Sequence, residues 1–230
     1  MEKKYKLTDE YITIGDKKLY CIEALRDFAD VKKGDKGGFI ESEYNLSQYG
    51  NWWIYDDAKV YENAESYGNA LVRGDAEIYG NATIYSYASI EDNVKIYGNA
   101  QIFGHACIYD YAKIFDDVIV YDNVEVHDNV EIYGNTLVCG YITLLKDAKI
   151  SSNSDYIVFK NWWSSGRYFT WTRSNNMWSV GCFYGTGEEL IAKAYKDSIL
   201  SGQEYERVVK YVESILKDSE SWQEKKKYVM

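Results

Sequence analysis

From Ile54 to Ile150 an apolar residue returns at every sixth position without a slip of phase, through 60, 72, 78, 84, 90, 96, 102, 108, 114, 120, 126, 132, 138, 144 and 150. Ser66 is the single exception. Four residues after each comes a small or β-branched side chain, from Ala58 and Ala64 through Val94 and Thr136 to Ala148. Side chains on a strand point alternately to its two faces, so the small residue and the aliphatic residue two places later both point inward. The two places between hold Gly-Asn, Asp-Asn, Asp-Asp or Gly-Asp in most hexads, residue types that tolerate the left-handed backbone of a sharp corner. A repeat of this kind decides the whole architecture.

This pattern resembles the left-handed hexapeptide-repeat β-helix family, whose coils are triangles of three hexads. The resemblance covers about 97 residues. It implies that residues 18 apart stack at about the 4.8 Å strand spacing, and three outer faces follow. The first stacks Glu65, Thr83, Gln101, Ile119 and Leu137 beside Tyr67, Tyr85, Phe103, Tyr121 and Cys139. The second stacks Lys59, Glu77, Lys95, Lys113, Glu131 and Lys149 beside Tyr61, Tyr79, Tyr97, Phe115 and Tyr133. The third is mixed, with Trp53, Leu71, Ser89, Cys107 and Glu125 beside Tyr55, Arg73, Glu91, Tyr109 and His127.

Tyrosine suits a strand exterior, and stacked cross-strand neighbours stabilise one another. For the second face, which its charged column keeps wet, that explanation and a binding role are equally open. The first face is more apolar, a contiguous patch of the kind that marks an interface. A second copy of the chain, its own C-terminal segment or a foreign protein could cover it. One corner gathers Asp56, Asp57, Asp75, Asp92, Asp110 and Asp128. Asp is an ordinary corner residue, yet a row of carboxylates could also attract a basic partner or a hard cation.

The flanks differ in kind, and three parts are expected: a hairpin cap over 1–37, the β-helix over 38–150 and a small α+β domain over 151–230. Ile12 and Ile14 lead to a Gly15-Asp16 turn, with Leu19, Cys21 and Ile22 on the return strand. Such a hairpin covers the exposed strand edge at the end of a solenoid. The stretch GDKGGFIESEYNLSQYGNWW reads as one irregular coil, with Ile40 and Leu46 six apart before the phase shifts. Beyond Ile150, YIVFK, GRYFTWTR and MWSVGCF alternate like three antiparallel strands. Thr186 and Glu189 form a capping box opening one helix, and Tyr205, Val208, Val209, Val212 and Leu216 have the spacing of a second before a charged tail. The whole order of hairpin, link, hexads and terminal GCFYGTGEEL resembles uncharacterised proteins of bacteriophages and prophages. That resemblance implies a phage or prophage origin and brings no catalytic residues with it.

The net charge of −10 resides in the repeat. Acidic residues number 10 against 9 basic ones in 1–53, 16 against 6 in 54–150, and 10 against 11 in 151–230. This balance opposes direct binding to a nucleic-acid backbone, which calls for clustered Lys and Arg. No apolar run is long enough to span a bilayer and no signal peptide is evident, so a cytoplasmic protein is expected. Four cysteines, Cys21, Cys107, Cys139 and Cys182, lie without a CxxC pair, which fits reduced thiols and gives no metal spacing.

Acyltransferases of the hexapeptide fold use a histidine as general base beside an interrupting loop. Here the coils are uninterrupted, and only His105 and His127 are present. Two histidines cannot make the three-histidine zinc site of carbonic anhydrases on this fold. No GxSxG, HExxH or phosphate-binding glycine loop occurs. Trp163, Arg167, Tyr168, Trp171 and Arg173 are the one cluster suited to a planar anionic ligand such as a nucleotide, although alternate members are better suited to the core of the three strands. The resulting expectation is a non-enzymatic, homo-oligomeric binding protein with no cofactor and no metal, acting on a host protein or a nucleotide signal as a host-defence inhibitor. Acidic mimicry of DNA and acyl transfer are the alternatives.

Overall fold

A computed structural model describes residues 3–227, with side chains through 217. The chain is mainly β and divides into two units. Residues through 158, with 172–175, form the first, and 159–171 with 176 onward the second, the division falling inside the strand Tyr156–Lys160. The expected cap and β-helix are therefore one body, and the boundary lies eight residues beyond the expected one.

The first unit is a parallel β-solenoid of 18-residue coils. Lys59 pairs with Glu77, Glu77 with Lys95, and Lys95 with Lys113, each step one coil long. Backbone amides donate to the carbonyls of the next coil at 2.7–3.1 Å. The inward positions are closed: every aliphatic and small residue of the repeat from Ile54 to Ile150 is at most 2% exposed, in one continuous core. Buried polar backbone is thus satisfied between coils while the interior stays apolar. Ser66, the sequence exception, is equally buried, and its Oγ has no hydrogen-bond partner.

The N-terminal hairpin does more than cover an end. Strand β1 (Tyr5–Ile14) pairs antiparallel with β2 (Lys17–Ala24), turning at Gly15, whose φ of +61° suits glycine. Strand β3 (Lys36–Ile40) pairs antiparallel with β2 and parallel with the first regular rung, so the hairpin extends the second face into a nine-stranded sheet. Its outer side packs Leu19, Cys21 and Phe39 against Tyr61 and Tyr79. The link does form a coil, and its phase shift has a simple cause. Ile40 pairs with Val60 and Leu46 with Ser66, both 20 apart, whereas Ile54 pairs with Val72, 18 apart. Two extra residues therefore lie between Leu46 and Ile54, where Trp52 and Trp53 turn into the core. The expectation that Trp53 faces outward on the third face is corrected: it is 1% exposed beneath edge-on Tyr5 and Phe28.

The second unit carries most of a four-stranded sheet and two helices. The expected third strand is two, Met177–Val180 and Phe183–Gly185, because Gly181 at φ +55° turns the chain back on itself. Helix α1 (Gly187–Asp197) opens on the expected capping box, Thr186 Oγ1 accepting from the Glu189 amide while Glu189 accepts from the Thr186 amide. Helix α2 (Ile199–Lys227) takes in most of the expected charged tail, whose last three residues lie outside the described ones.

Candidate functional site

Register places the three outer faces as the repeat implies. On the second face Tyr61, Tyr79, Tyr97, Phe115 and Tyr133 form an unbroken stack with ring centroids 4.9–5.3 Å apart and planes within 13°. The charged column beside it is internally paired: Lys95 with Glu77 at 3.3 Å, and Lys113 and Lys149 both with Glu131, at 3.3 and 3.0 Å. The hydrogen bond from Lys149, with that from Lys113, holds the Glu131 carboxyl below its ordinary range against the opposing effect of burial.

The first face has no such charges. Tyr67, Tyr85, Phe103 and Tyr121 stack at 4.7–5.2 Å beside Thr83, Gln101, Ile119 and Leu137. Around the adjoining corner Tyr87 stacks on His105 at 5.2 Å, and Tyr87 and Tyr141 are more than half exposed. Across these four columns the only carboxylates are Glu65 and Asp122, and no lysine or arginine occurs. At the top of this face the chain's own Tyr156 donates to the Leu137 carbonyl at 3.1 Å. Leu137 itself stays 36% exposed.

The acidic corner does form, in two adjacent columns, and its carboxylates have structural work. Asp92 accepts the Asp110 amide at 3.3 Å, Asp110 accepts the Asp128 amide at 2.9 Å, and Asp128 accepts the Lys146 amide at 3.0 Å. Asp56 does the same for Gly74 at 3.1 Å. All four aspartates have φ between +53° and +63°, so each provides both the left-handed corner and a staple to the next coil. Burial pushes the Asp128 carboxyl up, but the Lys146 amide and ammonium together hold it below its ordinary range. Asp57 and Asp75 occupy the neighbouring column, where Asp75 lies 3.9 Å from Lys59. These contacts account for the acidic row without a partner. An asparagine ladder, Asn63 to Asn81 to Asn99 to Asp117 at 2.7–3.0 Å, does the same at another corner.

The C-terminal aromatic cluster comes apart as a single site. Trp171 is core, 1% exposed with Nε1 donating to Asn176 Oδ1 at 2.9 Å. Arg173 belongs to the first unit, where Nε donates to the Ser154 carbonyl at 3.1 Å. Trp163 is half-buried against Phe169 and Tyr205, its Nε1 without a partner. Tyr168 lies on the surface, with the Lys160 ammonium 5.4 Å from its ring centre. Trp171 lines a small cleft of about 270 Å³ with Trp178 and Val209, and Arg167 borders a different one. That cleft, about 410 Å³, is bounded by segments whose meeting no sequence period signals, among them Ser164, Lys193, Asp197, Ser201 and Tyr205.

His105 sits at a corner and His127 on the mixed face, as expected. The His127 ring stacks on Tyr109 at 4.9 Å and lies 3.9 Å from both Asp110 and Glu125, too far for a hydrogen bond. Among the described residues no group of three or more His, Cys, Asp or Glu side chains could hold a metal ion. Also among them, no helix is long and apolar enough to cross a membrane.

No family model matches the chain. Over 66 residues it is 42% identical to a protein of Escherichia coli (strain K12) described as "Uncharacterized acetyltransferase YdcK". The match takes in 25% of this chain and 20% of that protein, so the chain spans about a fifth of the length of this curated relative.

Proposed function

We propose that this chain is a non-enzymatic binding protein in which the solenoid is the assembly module, self-associating through the first face, and the C-terminal unit is the recognition module. The observation that carries this reading is an aromatic strip whose columns hold only Glu65 and Asp122 as carboxylates and no lysine or arginine, on a rod that is otherwise acidic and ion-paired. Two copies repel over most of their length and approach most cheaply where each presents least charge.

Five rungs at about 4.8 Å make the strip roughly 20 Å long, and the corner holding Tyr87 and Tyr141 widens it to about 20 Å. That gives about 400 Å² per copy, half of the roughly 800 Å² that each partner contributes to a standard stable interface. The association is therefore weak unless reinforced. Salt screens the repulsion between acidic rods, so association strengthens as ionic strength rises. The similarity to phage and prophage proteins supports a setting in infected cells, where a binder of this kind acts as an inhibitor of host defence.

Light scattering across a concentration series tests the assembly. The wild-type mass rises with concentration and with salt, and Phe103→Lys holds it at the monomer while the circular dichroism spectrum is unchanged. A wild type that is monomeric at every concentration and salt level refutes the proposal.

Acyl transfer is the second reading, supported by the relative's description and by His127 standing between two carboxylates. It requires turnover of an acyl thioester that disappears in His127→Ala.

A further inference from the structure

We infer that the cleft of the C-terminal unit is a binding site for a small phosphate monoester carrying a flat or apolar body. The inference rests on the reading of this unit as the recognition module, and gives its ligand class. The cleft lies wholly within the second unit and has about 410 Å³, within the range of small-molecule sites. Its apolar wall is Val180, Phe183, Leu190 and Ala194.

Two cations border it, Arg167 and Lys193, and among the described residues neither the guanidinium nor the ammonium has an ion pair or hydrogen bond. Arg167 is set over the Gly181 turn, where a Cβ would come within 3.0 Å of its Nη1, so the glycine leaves the guanidinium its place. On the solenoid many cations are coupled to carboxylates, as Lys95, Lys113 and Lys149 are. Arg167 and Lys193 border the same cleft, and both are free to pair with an anion entering it.

The buried polar groups point the same way. Ser201 is 9% exposed, borders the cleft, and its Oγ has no partner among the described residues, its amide alone being bound by Ser198. Tyr205 is 7% exposed; its oxygen accepts from Asn161 Nδ2 at 2.9 Å, which leaves its own proton to donate. Both residues line the cleft, so an acceptor entering it could take a hydrogen bond from each hydroxyl.

Two positive charges with several hydroxyl donors match the dianion and multiple oxygens of a phosphate monoester better than a single carboxylate. Asp197 opposes the anion and is placed to accept from an amino or hydroxyl group on the body of the ligand.

Calorimetry on the full chain, with phenyl phosphate and adenosine 5′-monophosphate as probes, tests this. At least one probe binds saturably, and Arg167→Ala and Lys193→Ala each weaken it by about tenfold or more. Asp197→Asn, which removes the opposing charge, does not weaken phenyl phosphate, whereas mere disruption of the cleft would weaken all three variants alike. Binding of phenyl phosphate alone identifies a simple aryl phosphate, and binding of the nucleotide alone identifies a nucleotide; either supports the site. No saturable binding of either probe up to about 10 mM, or affinity unchanged in both cation variants, overturns it. The same samples measured by light scattering separate this outcome from the fate of the assembly proposal, since none of the three variants lies on the solenoid.

Discussion

Lys4 puts the packing of the N-terminal end to a quantitative test, because it is a cation with no exposed surface. Its Nζ donates to the Trp52 carbonyl at 3.0 Å and lies 4.4 Å from the Trp52 ring centre, 5.4 Å from Phe28 and 6.0 Å from Tyr5. Burial, and after it the charge of Arg26, push the ammonium down from 10.5 to about 7. At about 1.36 kcal/mol per pH unit this is a penalty of about 5 kcal/mol on the charged form. The surrounding rings oppose it by up to about 2 kcal/mol, so about 3–5 kcal/mol is the expected range. Below pH 7 both folded and unfolded chains hold the proton, and the penalty acts in full. Between 7 and 10.5 only the unfolded chain holds it, so stability rises with pH across that window. Lys4→Met keeps the length and removes the ionisation. In urea unfolding followed by tryptophan fluorescence, the variant should exceed the wild type by about 3–5 kcal/mol near pH 6.5. That advantage should shrink towards zero near pH 10. An advantage of the same size at both ends would refute the reasoning, since it would mean that Lys4 keeps its proton to pH 10 and that the gain comes from the apolar side chain, not from removing a disfavoured charge.

Ser66→Ala removes a buried hydroxyl without a partner and should stabilise the solenoid by about 1 kcal/mol; a lower thermal midpoint would show that the hydroxyl has a bound partner. Asp110→Ala loses both the left-handed preference and the staple to the Asp128 amide, and should cost about 1–2 kcal/mol by chemical unfolding. Asp110→Asn retains an acceptor and tolerates that backbone, so its loss should be less than half as large; equal losses would assign the residue's value to its charge.

The repeat made the solenoid legible because one local rule, repeated without a slip, fixed which side chains pointed inward. Register then followed, and with it the ladders from Tyr61 to Tyr133 and from Tyr67 to Tyr121. Where the rule lapsed, reading failed. Trp53 kept the phase of an outward residue yet is buried, because the hairpin and the Phe28 segment close over it. The strand MWSVGCF alternated throughout, but Gly181 broke it, and alternation carries no information on where a chain reverses. The cleft was illegible for a different reason: Arg167, Lys193 and Ser201 come from a loop and two helices that no period relates. The spacing among Trp163, Arg167, Trp171 and Arg173 suggested one site, whereas packing draws Trp171 into a core and ties Arg173 to Ser154.

The three faces also treat charge differently, and that difference gives the molecule a direction. Stacked like charges one coil apart repel at short range. On the second face lysine and glutamate mostly alternate, so repulsion turns into pairing. At the acidic corner the run of Asp92, Asp110 and Asp128 persists because each carboxylate receives a backbone amide, and the run ends on Lys146, whose ammonium lies 3.0 Å from Asp128. Gly74 separates Asp56 from that run. These devices make charge tolerable along a rod without any partner. The first face needs none of them, since its columns carry almost no charge, and its rings are free to leave water for a second surface that gives the tyrosine hydroxyls a partner. A rod whose charges are paired on the second face and tied to backbone amides at the acidic corner leaves the first face as the surface least bound to water.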